Sequence, residues 1–284
     1  MKPDSLMPNL RLATLLACGF AAGCTNVFFQ PSRRGFYRPE NFGAKYEVVY
    51  FHSGDDTLLT GLFFPAGEDG AKGTVVHFHG NGQNMTTHFL GSYWLAKASF
   101  NVFVFDYRGY GASEGKPSVE GAVSDGVAAL DYVRSRPDVD PKRVVAFGQS
   151  LGAAFALAAV VRRPEGVRAV VLESPFSSFR SIARSKLKLI PVLGWLRWPL
   201  AWLLVSDRHN PSVSVERLAC PLLVVHGDVD QVVPLGEGQA LFGKAREPKL
   251  LWTVPGGGHT EAFTRLGFEY QERLRAYLES QTRN

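Results

Sequence analysis

Residues 147–153 read Phe-Gly-Gln-Ser-Leu-Gly-Ala and place Ser150 between two glycines. The apolar run VVAF leads into the first glycine, and the alanine-rich run AAFALAAVV follows the second. This order predicts a buried strand, a tight turn and a helix, the setting in which a serine hydroxyl is exposed as a nucleophile. Gly148 and Gly152 allow the tight turn and the close approach of strand and helix. A strand-helix turn whose glycines serve packing alone is the structural alternative.

A serine hydroxyl is a weak nucleophile at neutral pH, so it needs a general base that an acid orients. In a fold with this turn the acid and the base should follow the serine in that order. Asp228 and Asp230 come directly after the run PLLVVH, and His259 follows the run LLWTVP. These positions fall at the carboxyl ends of predicted strands, where open α/β sheets carry their sites. His259 is therefore the candidate base, and either aspartate could be the acid.

Two backbone N–H groups could stabilise a developing oxyanion. The Leu151 N–H lies at the start of the predicted helix, beside the serine. The second donor should come from the loop after the third strand, which reads His-Gly-Asn-Gly from residue 79. We assign it to Asn81, with Gly82 as the alternative, and an ordinary glycine-rich turn as the structural explanation. His77 and His79 face the same side of their strand, where packing roles are expected rather than metal binding.

Strand-like and helix-like segments alternate along the chain and predict a doubly wound, mostly parallel α/β sheet of eight strands. Short apolar runs are typical of parallel strands buried on both faces. The first two strands are separated by Ser-Gly-Asp-Asp, which predicts a hairpin. Helices are predicted at about Asn84–Ala98, Ser118–Arg136, Leu151–Arg163, Leu235–Ala245 and Thr260–Ser280.

Residues 175–218 interrupt this alternation and predict a small helical lid inserted between two strands. The segment is basic, and Trp195, Trp198 and Trp202 have the spacing of one helix face. These tryptophans could form an apolar wall for an acyl chain or rest on an anionic membrane surface. Packing of the lid onto the core is the interpretation we favour.

The N-terminus has the pattern of a secretory signal peptide over residues 1–23, with a weakly basic start and a short apolar run. Its end, Ala-Ala-Gly-Cys, is similar to the lipobox of bacterial lipoproteins, so we expect lipidation of Cys24. An ordinary cleaved signal is the alternative, and the mass of the mature N-terminus decides between the two. Residues 24–44 are interpreted as a tether and residues 45–280 as the folded domain.

Composition limits the classes of function. The chain of 284 residues has a formal net charge of +5 and is 45% hydrophobic, which predicts one large folded domain. It lacks a Lys/Arg run or an RNA-binding signature, so we expect no nucleic-acid partner. With Cys18 removed and Cys24 lipidated, Cys220 would stand alone, so neither a disulfide framework nor a cysteine metal site is expected.

Several motifs in order resemble the α/β-hydrolase superfamily of serine hydrolases, and within it the Bem46-like group. They are HFHGNGQN, FDYRGYGASEG, GQSLG, ESPFSSF and HGDVDQVVP, and the resemblance covers about residues 45–280. It implies Ser150 as nucleophile, Asp230 as acid and His259 as base. The lid has a sequence of its own, so the resemblance does not extend to the substrate.

The resemblance implies hydrolysis of a carboxylic ester, or of a thioester, through an acyl-enzyme that needs no cofactor or metal. A peptidase or amidase using the same residues, or a binding lipoprotein without catalysis, are the alternatives. The expected partners are a small-molecule or lipid-like acyl substrate and the membrane surface to which the lipid anchor attaches. The expected location is the bacterial cell envelope, with a soluble periplasmic or secreted protein as the alternative; the oligomeric state stays open.

Overall fold

The computed structural model describes residues 28–67, 70–188 and 197–283. Within them the chain forms one sheet of eight strands, in the order β1-β2-β4-β3-β5-β6-β7-β8. The strands are β1 (Glu47–His52), β2 (Leu58–Phe64), β3 (Thr74–Phe78), β4 (Asn101–Asp106), β5 (Val144–Gln149), β6 (Val167–Glu173), β7 (Leu222–Gly227) and β8 (Lys249–Val254).

The direction of the strands follows the prediction. The hairpin β1–β2 is antiparallel, β2 is antiparallel to β4, and all remaining neighbours are parallel. The predicted α/β-hydrolase fold, with a mostly parallel eight-stranded sheet flanked by helices, is confirmed. Parallel strands share one carboxyl edge, so the loops after β3, β5, β6, β7 and β8 emerge on the same side of the sheet.

Helices cover both faces of the sheet. They are α1 (Met85–His88), α2 (Val119–Ser135), α3 (Leu151–Arg162), α4 (Phe179–Lys188), α5 (Arg197–Leu204), α6 (Pro211–Glu216), α7 (Leu235–Lys244) and α8 (Phe268–Thr282). Buried side chains of α2, α3, α6 and α7 belong to one hydrophobic core, and those of α1 and α8 belong to another. The central strands β3, β4 and β5 are buried at every residue, because apolar side chains meet helices on both sides.

Two predicted helices differ from the observed ones. The segment Asn84–Ala98 forms the short α1 followed by 3-10 turns at Phe89–Gly91 and Tyr93–Ala98. In the segment Thr260–Ser280, α8 begins only at Phe268. His259 lies in the segment before α8. There the Thr260 N–H donates to Ser174 Oγ and the Ala262 N–H donates to Glu173 Oε1, so these N–H groups do not form a turn of helix.

The described part of the predicted tether, residues 28–44, lies against the domain. Phe29 is buried and stacks on Phe155 of α3, with a ring-centroid separation of 5.9 Å. The Gln30 N–H donates to Asn81 Oδ1 at 2.8 Å. Phe28 and Phe29 thus pack in the hydrophobic core, which the polar, glycine-rich composition of this segment did not predict.

The predicted lid lies between β6 and β7 and contains α4, α5 and α6. Its base is fixed to α7, because Glu237 Oε2 accepts hydrogen bonds from the Ser177 backbone N–H and from the Ser181 hydroxyl. Trp198 and Trp202 of α5 are 60% and 69% exposed. The prediction that they pack the lid onto the core is therefore wrong for these two residues, and Trp195 lies outside the described residues.

Candidate active site

Ser150 lies between the end of β5 and the start of α3, as the sequence predicts. Its φ of 52° and ψ of −116° place the backbone in a conformation that residues other than glycine rarely adopt. The Ser150 N–H donates to the Glu173 carbonyl of β6 at 2.9 Å, which holds this conformation at the sheet edge. Strain of this kind is typical of a sharp strand-to-helix turn that exposes a serine.

The two glycines of the turn leave space that a side chain would fill. A Cβ on Gly148 would lie 2.7 Å from the Ala153 Cα, inside the first turn of α3. A Cβ on Gly152 would overlap the carbonyl oxygens of Phe78 and His79 at the end of β3. The turn and the neighbouring loop after β3 can approach each other closely only because both positions are glycine.

The structure brings Ser150, His259 and Asp230 together. The His259 Nε2 atom lies 2.9 Å from the Ser150 Oγ, and the His259 Nδ1 atom lies 2.8 Å from the Asp230 Oδ2. An ionised carboxylate only accepts hydrogen bonds, so the His259 proton resides on Nδ1 and donates to Asp230. The lone pair on Nε2 therefore faces the Ser150 hydroxyl, which is the tautomer that a general base requires.

Asp230 is held as an ionised carboxylate in a buried position. Its side chain is fully buried, and its Oδ1 accepts the Val232 and Val233 N–H groups, each at 2.8 Å. Burial alone would raise the pKa of this carboxyl, but its hydrogen bond to His259, the charge of His259 and the Val233 N–H together lower it. Asp228 is exposed and accepts the Gly256 N–H, so of the two candidate acids only Asp230 contacts His259.

The loop after β3 lies beside Ser150. A Cβ on Gly80 would be 3.6 Å from the Ser150 Cβ. The His79 Nδ1–H donates to the Gly80 carbonyl at 2.7 Å, and a planar trans peptide directs the Asn81 N–H to the opposite side. The Gly82 N–H donates to the Asn81 Oδ1 at 2.8 Å, so this alternative oxyanion donor already has a partner. The Leu151 N–H belongs to the first turn of α3, where N–H groups lack intrahelical acceptors.

A buried polar network that the sequence analysis missed lies behind Ser150. His77 Nε2 is 2.8 Å from Gln149 Oε1, and Gln149 Nε2 donates to Glu173 Oε2 at 2.7 Å. Burial raises the pKa of Glu173 to about 7, against the hydrogen bonds from Gln149 and from the Ala262 N–H. The available signal was a polar residue next to the serine and a glutamate that ends the apolar run AVVLE.

Two further features bear on the predicted partners. Cys24, the predicted lipidation site, lies outside the described residues. Among residues 28–67, 70–188 and 197–283, no helix is long and apolar enough to cross a bilayer. Within the same ranges, His, Cys, Asp and Glu side chains form no group of three or more that could hold a metal ion.

A family model described as "Serine aminopeptidase, S33" matches residues 69–217. The chain belongs to this family of α/β-hydrolases. It is 40% identical over 254 residues to the protein YfhR of Escherichia coli K12, covering 88% of this chain and 85% of YfhR. It is also 28% identical over 245 residues to the protein bem46 of Schizosaccharomyces pombe, covering 81% of this chain and 78% of bem46.

Solved structures show the same family fold. The esterase Pf2001 of Pyrococcus furiosus superposes with a TM-score of 0.74 over 90% of this chain and 99% of the esterase, at 20% sequence identity. The acetyl xylan esterase 1 of a Thermoanaerobacterium species gives a TM-score of 0.63 over 88% of this chain and 86% of that enzyme, at 19% identity. At such identities the likeness establishes the fold, and the chemistry must be argued from the residues.

Proposed function

We propose that the protein is a serine hydrolase that cleaves carboxylic esters through an acyl-enzyme on Ser150. The observation that carries the proposal is the continuous hydrogen-bonded chain from the Ser150 hydroxyl through His259 to the buried Asp230 carboxylate. Esterases among the proteins of similar fold support the choice of an ester as the bond cleaved.

In the proposed mechanism His259 Nε2 takes the hydroxyl proton as Ser150 Oγ attacks the ester carbonyl carbon. The Leu151 and Asn81 N–H groups donate to the resulting oxyanion, and each such donor typically contributes about 10²–10³ in rate. Protonated His259 then gives its proton to the leaving alcohol. A water molecule, deprotonated by the same imidazole, attacks the acyl-enzyme and releases the acid.

The proposal predicts that a fluorophosphonate probe labels Ser150. The Oγ displaces fluoride from phosphorus, a reaction that needs an activated serine and does not depend on the natural substrate. We expect labelling of the wild-type chain, none of Ser150→Ala, and labelling slowed at least about a hundredfold in His259→Ala, which loses its general base. Ser124→Ala, a change on α2, is the matched control and should label like the wild type.

The mass of the labelled tryptic peptide identifies the modified residue. A folded wild-type chain that does not label, or one that labels elsewhere than at Ser150, contradicts the proposed nucleophile.

A peptidase is the second candidate, because the matching family model carries the description of a serine aminopeptidase. The same three residues serve both reactions, since the fold does not determine the leaving group. Parallel assays with p-nitrophenyl esters and aminoacyl p-nitroanilides separate them. Ester turnover without anilide turnover supports the esterase, and the reverse result replaces it with the peptidase.

The lid supports a lipid-like acyl substrate. Trp198 and Trp202 project from α5, with the Arg184 guanidinium 4.2 Å from the Trp198 ring centroid and the Arg180 guanidinium 5.8 Å from that of Trp202. Exposed aromatic rings next to cations are typical of surfaces that meet acyl chains and anionic headgroups. The lid follows directly after β6, whose last residue bonds to the Ser150 backbone.

We therefore expect the double variant Trp198→Ala, Trp202→Ala to discriminate between substrates by chain length. Loss of roughly 60 Å² of apolar contact, at about 25 cal/mol per Å², lowers kcat/KM for a dodecanoyl ester about tenfold. The acetyl ester should change less than about twofold, because an acetyl group has almost no apolar surface to pack against the rings. Tyr50→Ala, which removes an exposed aromatic ring from β1, is the control. Equal losses on both esters contradict the acyl-chain wall.

A further inference from the structure

The end of β6 contacts both loops on which the proposed mechanism depends. The Glu173 carbonyl accepts the Ser150 N–H at 2.9 Å, and the Glu173 Oε1 accepts the Ala262 N–H at 3.0 Å. Glu173 thus bonds through its backbone to the nucleophile and through its carboxylate to the segment that carries His259.

The Glu173 carboxylate is buried, and the side chains around it form a series of hydrogen bonds in which each donor faces toward Glu173. Glu173 is 1% exposed. The Ser92 hydroxyl and His77 Nδ1 are 2.8 Å apart, His77 Nε2 and Gln149 Oε1 are 2.8 Å apart, and Gln149 Nε2 lies 2.7 Å from Glu173 Oε2. Because the Gln149 oxygen accepts from His77, its amide nitrogen must donate to the carboxylate. The chain of donors therefore ends on Glu173.

We propose that Glu173 is a positioning residue whose ionised carboxylate holds the backbone after His259, so that the imidazole stays in reach of Ser150. This inference rests on the proposed function, because it assigns Glu173 a part in the same reaction. Glu173 itself contacts neither substrate nor the reacting atoms. It acts through the Ala262 N–H, three residues beyond the base.

The network requires an ionised acid at this position. Gln149 Nε2 and the Ala262 N–H are donors, and an ionised carboxylate has acceptor sites for both. A protonated Glu173, or a glutamine, would turn one donor toward another donor and break one of these bonds. The loop that carries His259 would then lose part of its attachment, and misplacement of a catalytic group by about 1 Å can cost about 100-fold in rate.

Few other titratable groups face Glu173. His77 of β3 and His88 of α1 reach it through Gln149, and burial lowers the pKa of both imidazoles, so they stay neutral. The charge of His259, in the loop after β8, opposes the rise in the Glu173 pKa. Asp230 approaches from the loop after β7 through its contact with Ser174. With a pKa of about 7, Glu173 takes up its proton as the pH falls through neutrality.

The variant Glu173→Gln tests the inference on a p-nitrophenyl acetate assay. We expect kcat about tenfold lower at pH 8, with KM within about twofold, because the geometry of the base changes and the acyl site does not. The pH profile should change as well. In the wild type Glu173 takes up a proton as the pH falls through about 7, so kcat should fall more steeply on the acid side of neutrality than in the variant, which lacks this titrating group.

Two matched variants accompany it. Glu247→Gln removes a carboxylate that also accepts a backbone N–H, from Lys249, but that lies at the amino end of β8, on the edge of the sheet opposite to Ser150. It should leave kcat and the steepness of the acid side of the pH profile unchanged. Glu173→Asp keeps the titrating carboxylate on a shorter side chain, so it should restore the steeper fall of kcat below neutrality even where kcat stays reduced. A glutamine variant with wild-type kcat and an unchanged pH profile overturns the inference.

Hydrogen exchange of the Ala262 amide provides a readout that does not require turnover. In the wild type this N–H is buried and bonded to Glu173, so it should exchange at least about tenfold more slowly than in Glu173→Gln at pH 8. If the wild type hydrolyses no ester, the proposed function fails while the exchange still tests the attachment. If the wild type is active and neither exchange nor kcat responds to the substitution, the inference fails alone.

Discussion

Replacing Asp230 with asparagine is expected to lower kcat on an ester about 10⁴-fold. Asp230 Oδ1 accepts two backbone N–H groups, from Val232 and Val233, while Oδ2 accepts from His259. In the variant the single amide oxygen must stay with the two backbone donors, so the amide nitrogen faces His259 Nδ1. That nitrogen can only donate, which forces the His259 proton onto Nε2 and removes the lone pair that should take the Ser150 proton.

The matched substitution is Asp228→Asn. Asp228 is exposed, and its oxygen accepts the Gly256 N–H, a bond that the asparagine oxygen can also make. We expect kcat within about twofold of the wild type. Steady-state kinetics on a p-nitrophenyl ester compare the two variants, with circular dichroism to show that both are folded. Similar losses of kcat in both variants, or a larger loss in Asp228→Asn, would contradict the assignment of Asp230 as the acid.

The parts of the site predictable from sequence are those that local signals specify. Continuous apolar runs predict the buried strands, and the glycines around Ser150 predict the turn after β5. His259 follows because it alone among the histidines lies beyond both candidate aspartates. The residues alone did not decide whether Asp228 or Asp230 is the acid, since both lie just after β7. Only the direction of each side chain separates them, and that depends on the path of the loop.

Other elements depend on contacts that no local pattern encodes. The polar segment before β1 predicts a tether, yet Phe28 and Phe29 pack against Phe179 and Phe155, residues more than a hundred positions away. The segment Asn84–Ala98 has a helical composition, but the structure divides it into α1 and two 3-10 turns. The exposed tryptophans of α5 show the same limit, because their spacing defines a face and not what covers it.

The Glu173 network is the clearest case of long-range determination. Its bonds join Gln149 to Glu173 across 24 positions, His77 to Gln149 across 72, and Glu173 to Ala262 across 89. Each residue alone looks ordinary, as a histidine or a glutamate at the end of an apolar run. Parallel strand order places them side by side, because β3, β5 and β6 are consecutive neighbours in the sheet. Burial of a glutamate indicates that it has a hydrogen-bonding or charged partner, but does not identify that partner.

The second large effect is expected from Gly152→Ala, which should lower the free energy of unfolding by about 3 kcal/mol or prevent folding. The added Cβ would overlap the Phe78 and His79 carbonyl oxygens, which are backbone atoms of β3 and its loop and cannot rotate away as a side chain does. Relief requires α3 and β3 to separate. Urea unfolding monitored by circular dichroism measures the change.

Gly243→Ala is the matched control, since Gly243 also lies in a helix, α7, and a Cβ there meets no atom within 4 Å. It should raise the free energy of unfolding by about 0.5 kcal/mol, because alanine restricts the unfolded chain and favours the helix. The opposite signs isolate the clash from helix propensity. A Gly152→Ala protein as stable as the wild type would show that α3 and β3 are not in close contact.

The two glycines around Ser150 therefore have different structural roles. Gly148 makes room for Ala153 of the helix that follows in the chain, while Gly152 makes room for a neighbouring strand and for the His79 carbonyl at the start of the proposed oxyanion loop. A Gly152→Ala protein that still folds must displace that loop, so its kcat should fall together with its stability. The spacing of the glycines thus couples the exposure of Ser150 to the position of the Asn81 N–H, and both depend on how closely α3 packs against β3.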